Sequence, residues 1–89
     1  MGPADRERRL RERLTAAFAP RELTIVDESH LHVGHAGAAG GGGHFRIRIV
    51  AAAFAGLAPV ARHRRIYEAL GDLMSGEIHA LTIDARADG

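Results

Sequence analysis

Cysteine and tryptophan are missing from the 89-residue sequence, and its aromatic side chains are limited to one tyrosine and three phenylalanines. Without cysteine the chain can form no disulfide and can offer no thiolate to a metal. A small domain without disulfides is typical of a reducing compartment, so we expect a cytoplasmic protein. So few aromatic rings leave little surface on which nucleic-acid bases could stack. No apolar run approaches the roughly 20 residues that cross a bilayer, so we expect no membrane contact.

The net charge is small, and the sequence lacks the common catalytic motifs. The 12 basic and 11 acidic residues give a formal net charge of +1, which argues against strong nonspecific binding to a phosphate backbone. The glycine run 40–43 is not followed by the Lys-Ser/Thr of a phosphate-binding loop. Asp27 and Glu28 are adjacent in a predicted strand, so their carboxylates point to opposite faces. We therefore expect a protein that is not an enzyme.

What the sequence does contain is hydrophobic periodicity, which predicts one domain over residues 1–89 with a core at about 6–85. Period-two alternation predicts strands, and three-four spacing predicts helices. The expected elements are helices over 5–18 and 59–74, a single helical turn within 51–56, strands over 23–28, 44–50 and 78–84, and a polar tail over 85–89. The apolar stripe expected for the first helix consists of Leu10, Leu14 and Phe18. The stripe expected for the second helix consists of Val60, His63, Tyr67, Leu70 and Met74, and Ile66 and Leu73 widen it.

This order, α-β-β-α-α-β, predicts an α+β fold. The first two strands would form a hairpin with a long connection, and a helical crossover would make the second and third strands parallel. We expect a two-layer sandwich in which helices cover one face of a three-stranded mixed sheet.

The connection between the first two strands is the most unusual segment. Residues 29–43 hold His30, His32, His35 and six glycines. Glycine loses the most conformational entropy on folding, so a loop of this composition is more typical of function than of packing. Imidazole is the commonest metal ligand, and His30 and His32 have the spacing of a His-x-His chelate in an extended chain.

His79 is the second residue of the last predicted strand, at the sheet edge where this loop ends. A loop histidine and His79 could therefore approach each other and supply half of a four-coordinate site. A merely solvated histidine-rich loop is the alternative, and the residues alone leave both open. Arg62, Arg64 and Arg65 could likewise contact nucleic-acid phosphates or form an ordinary solvated helix surface.

Several separate motifs together resemble one known family. They are Asp27-Glu28-Ser29, Gly34-His35, His44-Phe45-Arg46-Ile47-Arg48-Ile49-Val50, Phe54-Ala55-Gly56, Arg62-His63-Arg64-Arg65-Ile66-Tyr67 and Ile78-His79-Ala80-Leu81. In this order they are similar to the BolA family, over about Arg8 to Ala85. The resemblance implies a fold similar to the class II KH domain.

The resemblance also implies a partner and a cofactor. BolA-like proteins form heterodimers with monothiol glutaredoxins around a bridging 2Fe–2S cluster, in iron–sulfur cluster assembly, trafficking or iron signalling. The BolA-like partner supplies a histidine of the last strand, here His79, and a loop ligand, here His35, with His32 as a substitute. The glutaredoxin and a bound glutathione would supply the thiolates, a mixed ligation like that of Rieske centres. No cofactor is expected on the chain alone, which would be a monomer or weak homodimer.

A second implied function belongs to a different class. Bacterial members of the family are described as transcriptional regulators of stress response and cell morphology. The proposed DNA-contacting part then corresponds to Arg62, Arg64 and Arg65.

Overall fold

The computed structural model describes residues 3–28, 43–75 and 78–87. Two α-helices, two short 3-10 turns and three strands follow one another along the chain. They are α1 (Pro3–Phe18), β1 (Glu22–Asp27), β2 (Gly43–Val50), the first 3-10 turn (Ala52–Phe54), α2 (Pro59–Leu70), the second 3-10 turn (Gly71–Ser75) and β3 (Ile78–Arg86). The α+β class is confirmed, and the single helical turn expected within 51–56 is the first 3-10 turn.

The three strands form one mixed sheet with β2 in the centre. β1 pairs antiparallel with β2, from Glu22 opposite Val50 to Asp27 opposite Phe45. β3 pairs parallel with β2, up to Arg86 opposite Val50. Both the hairpin and the parallel crossover are therefore as the sequence predicts.

The alternating side chains of β2 separate a buried face of the sheet from an open one. Phe45, Ile47 and Ile49 are fully buried, whereas Arg46 and Arg48 are exposed. The buried face packs against both helices in a single core that consists of Leu10, Leu14, Ile25, Phe45, Ile47, Ile49, Ala51, Phe54, Ile66, Leu70, Leu73 and Ile78. Each of the large side chains contributes about 1.5–3 kcal/mol by leaving water. The described helices therefore cover one face of the sheet, and we call the opposite one, on which Arg46 and Arg48 are exposed, the open face.

The buried stripe of α1 is as expected. Leu10 and Leu14 are fully buried, and the half-buried Phe18 packs on Phe54 with 4.8 Å between ring centroids. This contact anchors the first 3-10 turn beneath the end of α1.

The stripe expected for α2 is wrong at two of its positions. Val60 and Tyr67 are 68% and 42% exposed, and His63 is half-buried. The buried residues of the helix are Ile66 and Leu70, both of which the expected stripe also included. Because successive helical residues are about 100° apart, a stripe based on Ile66 instead of Tyr67 turns the helix by one position. The periodicity was compatible with both rotations, and the sheet selects the one that buries two aliphatic side chains.

α2 ends at Leu70, four residues earlier than expected. Gly71 has a φ of 47°, in the left-handed region that glycine tolerates, and the chain continues as a 3-10 turn. The Arg13 guanidinium from α1 donates to the Leu70 carbonyl at 3.1 Å and to Oδ1 of Asp72 at 2.8 Å. The side-chain hydrogen bond from Arg13, reinforced by its charge, holds the pKa of the Asp72 carboxyl below its usual range.

The remaining boundaries move by one or two residues. β3 continues through Arg86, so the expected polar tail is wrong for Ala85 and Arg86. Their Cα partners are Ile49 and Val50, and the Ala51 amide donates to the Arg86 carbonyl at 2.9 Å. Pro59 occupies the first turn of α2, as predicted, where its missing N–H costs nothing.

Candidate functional site at one edge of the sheet

The end of β1 and the beginnings of β2 and β3 lie at the same edge of the sheet. Gly43, the first residue of β2, is the Cα partner of Ile78, the first residue of β3. On the other side of β2, Asp27 is opposite Phe45, and the Glu28 amide donates to the His44 carbonyl at 2.8 Å. Glu28 and Gly43, which flank segment 29–42, therefore lie at the edge of the sheet where β3 begins.

A β-bulge lies at this edge and contains His79. The pairing of Gly43 with Ile78 is followed by that of His44 with Ala80, so His79 is the extra residue on β3. Bulges interrupt the ladder locally and are over-represented next to functional sites. The backbone of His79 thus lies where the topology predicted, beside the start of β2.

The loop histidines proposed as ligands lie outside the described residues. This applies to His35, to its substitute His32 and to His30. Their role as ligands stays a prediction, as does that of His79.

Beside the bulge, three strands are joined on the open face of the sheet by a group of polar side chains. Nε2 of His44 lies 3.4 Å from Oγ1 of Thr82 and 3.9 Å from Oε1 of Glu28. The Arg46 Nε donates to Oε2 of the same carboxylate at 3.0 Å. We call Glu28, His44 and Thr82 the rim cluster; one member follows β1, one belongs to β2 and one to β3.

The sequence pattern alone does not identify the rim cluster. The alternation of β2 does place His44 and Arg46 on one face, which is a signal for part of it. The membership of Thr82 depends on the register of β3, which the bulge shifts by one residue. Nothing in the local sequence marks that shift.

The described residues contain no group of three or more histidine, cysteine or acidic side chains arranged to hold a metal ion. The sequence contains no thiolate donor, since cysteine is absent, and its six histidines can supply imidazole. Iron–sulfur clusters are held by thiolates, with imidazole replacing part of the set in mixed sites. The donor chemistry of this chain therefore fits a contributor of imidazole ligands, with thiolates from another molecule.

The three arginines proposed for DNA contact are not equivalent. The Arg62 guanidinium is half-buried, and it donates from Nε to the Leu57 carbonyl at 2.8 Å and from Nη1 to the Ala85 carbonyl at 2.9 Å. Arg64 and Arg65 are exposed. Arg62 thus joins the start of α2 to β3, and the two exposed arginines are the ones available for an anionic partner.

None of the helices described is long and apolar enough to cross a bilayer.

The fold and the edge site define a class: a small α+β protein with a mixed three-stranded sheet and a histidine at a bulge beside a histidine-rich connection. Residues 14–89 match the sequence model of the BolA-like protein family. The chain belongs to the BolA-like family.

Individual relatives agree with this assignment. The chain is 42% identical over 82 residues to a Sinorhizobium protein described as an uncharacterized protein in the cobS 5′ region, covering 90% of this chain and 88% of that one. It is 40% identical over 80 residues to mouse BolA-like protein 1, covering 90% and 56%. It is 38% identical over 74 residues to the DNA-binding transcriptional regulator BolA of Vibrio cholerae, covering 83% and 67%.

A solved structure shows the same fold. The BolA domain of SufE1 from Arabidopsis thaliana superposes with a TM-score of 0.82 at 40% identity, covering 98% of this chain and 94% of that one. The full Arabidopsis SufE-like protein 1 is far longer, and the matched region is 22% of it. This chain therefore spans just over half of the mouse relative and about a fifth of the Arabidopsis one.

Proposed function

We propose that this protein partners a monothiol glutaredoxin and contributes histidine ligands to a bridging 2Fe–2S cluster. His79 would be the ligand from β3, and His35, or His32 in its place, the ligand from the histidine-rich connection. The glutaredoxin and a bound glutathione would supply thiolates. The cluster, when bound, brings redox-active and transferable iron, and the chain itself performs no catalytic step.

The observation that carries this proposal is the bulge at His79 beside the start of β2. It brings the backbone of a C-terminal histidine to the edge where a segment with three further histidines joins the sheet. Membership of the BolA-like family supports the same partner class. The absence of cysteine explains why a second molecule is needed to complete a cluster site.

The test is anaerobic reconstitution of the chain with a monothiol glutaredoxin, glutathione, iron and sulfide. We expect a heterodimer whose absorption and paramagnetic spectra carry the signature of imidazole ligation. His79→Ala removes one of the two proposed imidazole ligands and is expected to alter that signature, whereas His63→Ala, on α2, removes an imidazole elsewhere and is expected to leave it intact. His35→Ala and His32→Ala, compared side by side, identify the loop ligand. An unchanged spectrum in His79→Ala would contradict the assignment.

A second candidate function is regulation of transcription through DNA binding. The V. cholerae relative is named a DNA-binding transcriptional regulator, and Arg64 and Arg65 are exposed on α2. Arginines on one helix surface can neutralise phosphates, and binding of this kind weakens steeply with salt.

The DNA candidate is tested by the salt dependence of binding to promoter fragments. The double variant Arg64→Ala/Arg65→Ala is expected to weaken binding and to lower the salt slope by about 0.9 for each phosphate that the protein no longer neutralises. Arg8→Ala/Arg48→Ala removes the same charge from α1 and β2 and serves as the matched control. Equal reductions in both double variants would show a nonspecific charge effect and count against an α2 interface.

A further inference from the structure

The rim cluster joins the three strands at the edge that carries the backbone of His79 and the residues flanking segment 29–42. We infer that Glu28, His44 and Thr82 act as positioning residues, which hold both ends of segment 29–42 in register with the start of β3. They thereby hold Glu28, the start of β2 and the start of β3 together at the edge that carries the backbone of His79. This inference rests on the proposed function, which it deepens by assigning a role to residues that are not themselves ligands.

Burial and geometry distinguish this cluster from an ordinary surface ion pair. The side chains of Glu28 and His44 are only 16% and 22% exposed. Glu28 is held twice over, because its amide donates to the His44 carbonyl at 2.8 Å and its carboxylate accepts from Arg46 at 3.0 Å. Hydrogen bonds to charged groups are stronger than neutral ones, and this bond links the mostly buried carboxylate to an Arg46 side chain that is 58% exposed. Glu28, the last described residue before segment 29–42, is therefore fixed to the strand that follows that segment.

The contact between His44 and Thr82 fixes β3 to β2, as the contacts of Glu28 fix the end of β1 to β2. A bulge disrupts the backbone ladder, so the pairing around His79 supplies less constraint than a regular ladder would. Thr82 is the next outward residue after Ala80, the Cα partner of His44. The 3.4 Å contact between the His44 ring and the Thr82 hydroxyl thus supports β3 immediately beyond the bulge.

The rim cluster lies away from the hydrophobic core, so its positioning role can be tested apart from core stability. All three side chains lie on the open face, whereas the core fills the opposite face of the sheet. Loss of one hydrogen bond at the rim should leave the core packing unchanged. What should change is the local order of the strand ends that carry the proposed site.

The first measurement uses the chain alone. Thr82→Val removes the hydroxyl at nearly constant shape, and Thr24→Val makes the same change on the same face within β1. We expect amide hydrogen exchange at Glu28 and at Ala80 to accelerate roughly tenfold in Thr82→Val, the effect anticipated for removal of one hydrogen bond. The amides of Phe45 to Ile49 and the melting temperature should stay close to wild type. Two conservative variants serve as rescues. Thr82→Ser keeps the hydroxyl and is expected to retain the protection that Thr82→Val loses. His44→Gln, whose side-chain amide can replace Nε2, is expected to retain the protection that His44→Ala loses. Exchange at Glu28 and Ala80 that is equal in Thr82→Val and Thr24→Val would overturn the inference.

The second measurement uses the reconstituted glutaredoxin complex. Thr82→Val and His44→Ala are expected to keep the shape of the wild-type spectrum but to lose the cluster several times faster, whereas Thr24→Val behaves as wild type. Spectra of wild-type shape and unchanged cluster lifetimes would overturn the positioning role while leaving the proposed function intact. A His44→Ala spectrum without the imidazole signature would overturn it too, because His44 would then be a ligand. A wild-type chain that loads no cluster would overturn the proposed function and this inference together.

Discussion

Arg13 and Asp72, which are 59 positions apart in the sequence, join α1 to the end of α2 through a 2.8 Å contact between Nη2 and Oδ1. The same guanidinium caps the carbonyl of Leu70, the last residue of α2. A cation at a helix C-terminus is favourable because the exposed carbonyls there carry partial negative charge. One side chain of α1 therefore satisfies the end of α2 and holds the following 3-10 turn.

This contact predicts a dependence of stability on acid pH. The pKa of Asp72 is lowered in the folded protein by Arg13, so the folded state favours the ionised carboxylate. The contribution is fully present above the usual aspartate range, near pH 4, and is lost as pH falls through the lower folded-state pKa. Asp72→Asn is expected to flatten that part of the stability curve. Chemical denaturation between pH 2 and pH 6 measures it, and curves of equal slope for both proteins would contradict the coupling.

A single glycine substitution at Ala19 is expected to stabilise the protein. Ala19 follows α1 with a φ of 46°, a left-handed conformation that costs alanine energy and glycine very little. We expect Ala19→Gly to raise the free energy of unfolding by up to about 1 kcal/mol. Ala17→Gly, at an exposed position within the helix, should lower it by about 0.5–1 kcal/mol. Thermal unfolding of the two variants checks the opposite signs, and equal destabilisation of both would refute the strained cap.

The rotation of α2 is tested by two aliphatic positions. Ile66 is fully buried, so Ile66→Ala should cost about 2–5 kcal/mol of unfolding free energy. Val60→Ala, on the exposed side, should change it by less than about 0.5 kcal/mol. Urea denaturation gives both values. A large cost at Val60 would show that its face is covered in solution.

Arg62 is expected to behave as a structural residue. Its two hydrogen bonds, to the Leu57 and Ala85 carbonyls, come from one planar guanidinium. Arg62→Ala should therefore destabilise the fold by about 1–2 kcal/mol, and Arg62→Lys should recover little because an ammonium lacks the fork geometry. Arg64→Ala, an exposed neighbour, should be close to neutral. Denaturant midpoints separate the three variants, and full recovery by lysine would indicate that charge alone matters.

The architecture could be predicted from the sequence because its patterns are local. The alternation of Phe45, Ile47 and Ile49 with arginines identifies β2, and Pro59 marks the start of α2. The rotation of α2 could not be predicted, because Tyr67 and Ile66 both fit a three-four stripe. The sheet decides between them through burial, which is a tertiary effect.

The site could be predicted only in part. Topology places His79 beside the start of β2, and this follows from the expected parallel pairing. The bulge at His79 and the contact between His44 and Thr82 depend on a one-residue register shift. Register arises from the packing of whole strands, and no short motif encodes it. The structural role of Arg62 was missed for a similar reason, since its acceptor Ala85 lies 23 residues away.

The hydrogen bond from Arg62 to Ala85 also bears on self-association. Successive carbonyls along a strand point to alternate sides, and the Arg86 carbonyl points toward β2, where it accepts from Ala51. The Ala85 carbonyl therefore faces the outer edge of β3, where unpaired backbone groups can template the strand of another molecule. Because Arg62 occupies that carbonyl, one acceptor that an added strand would need is already used at this end of the sheet.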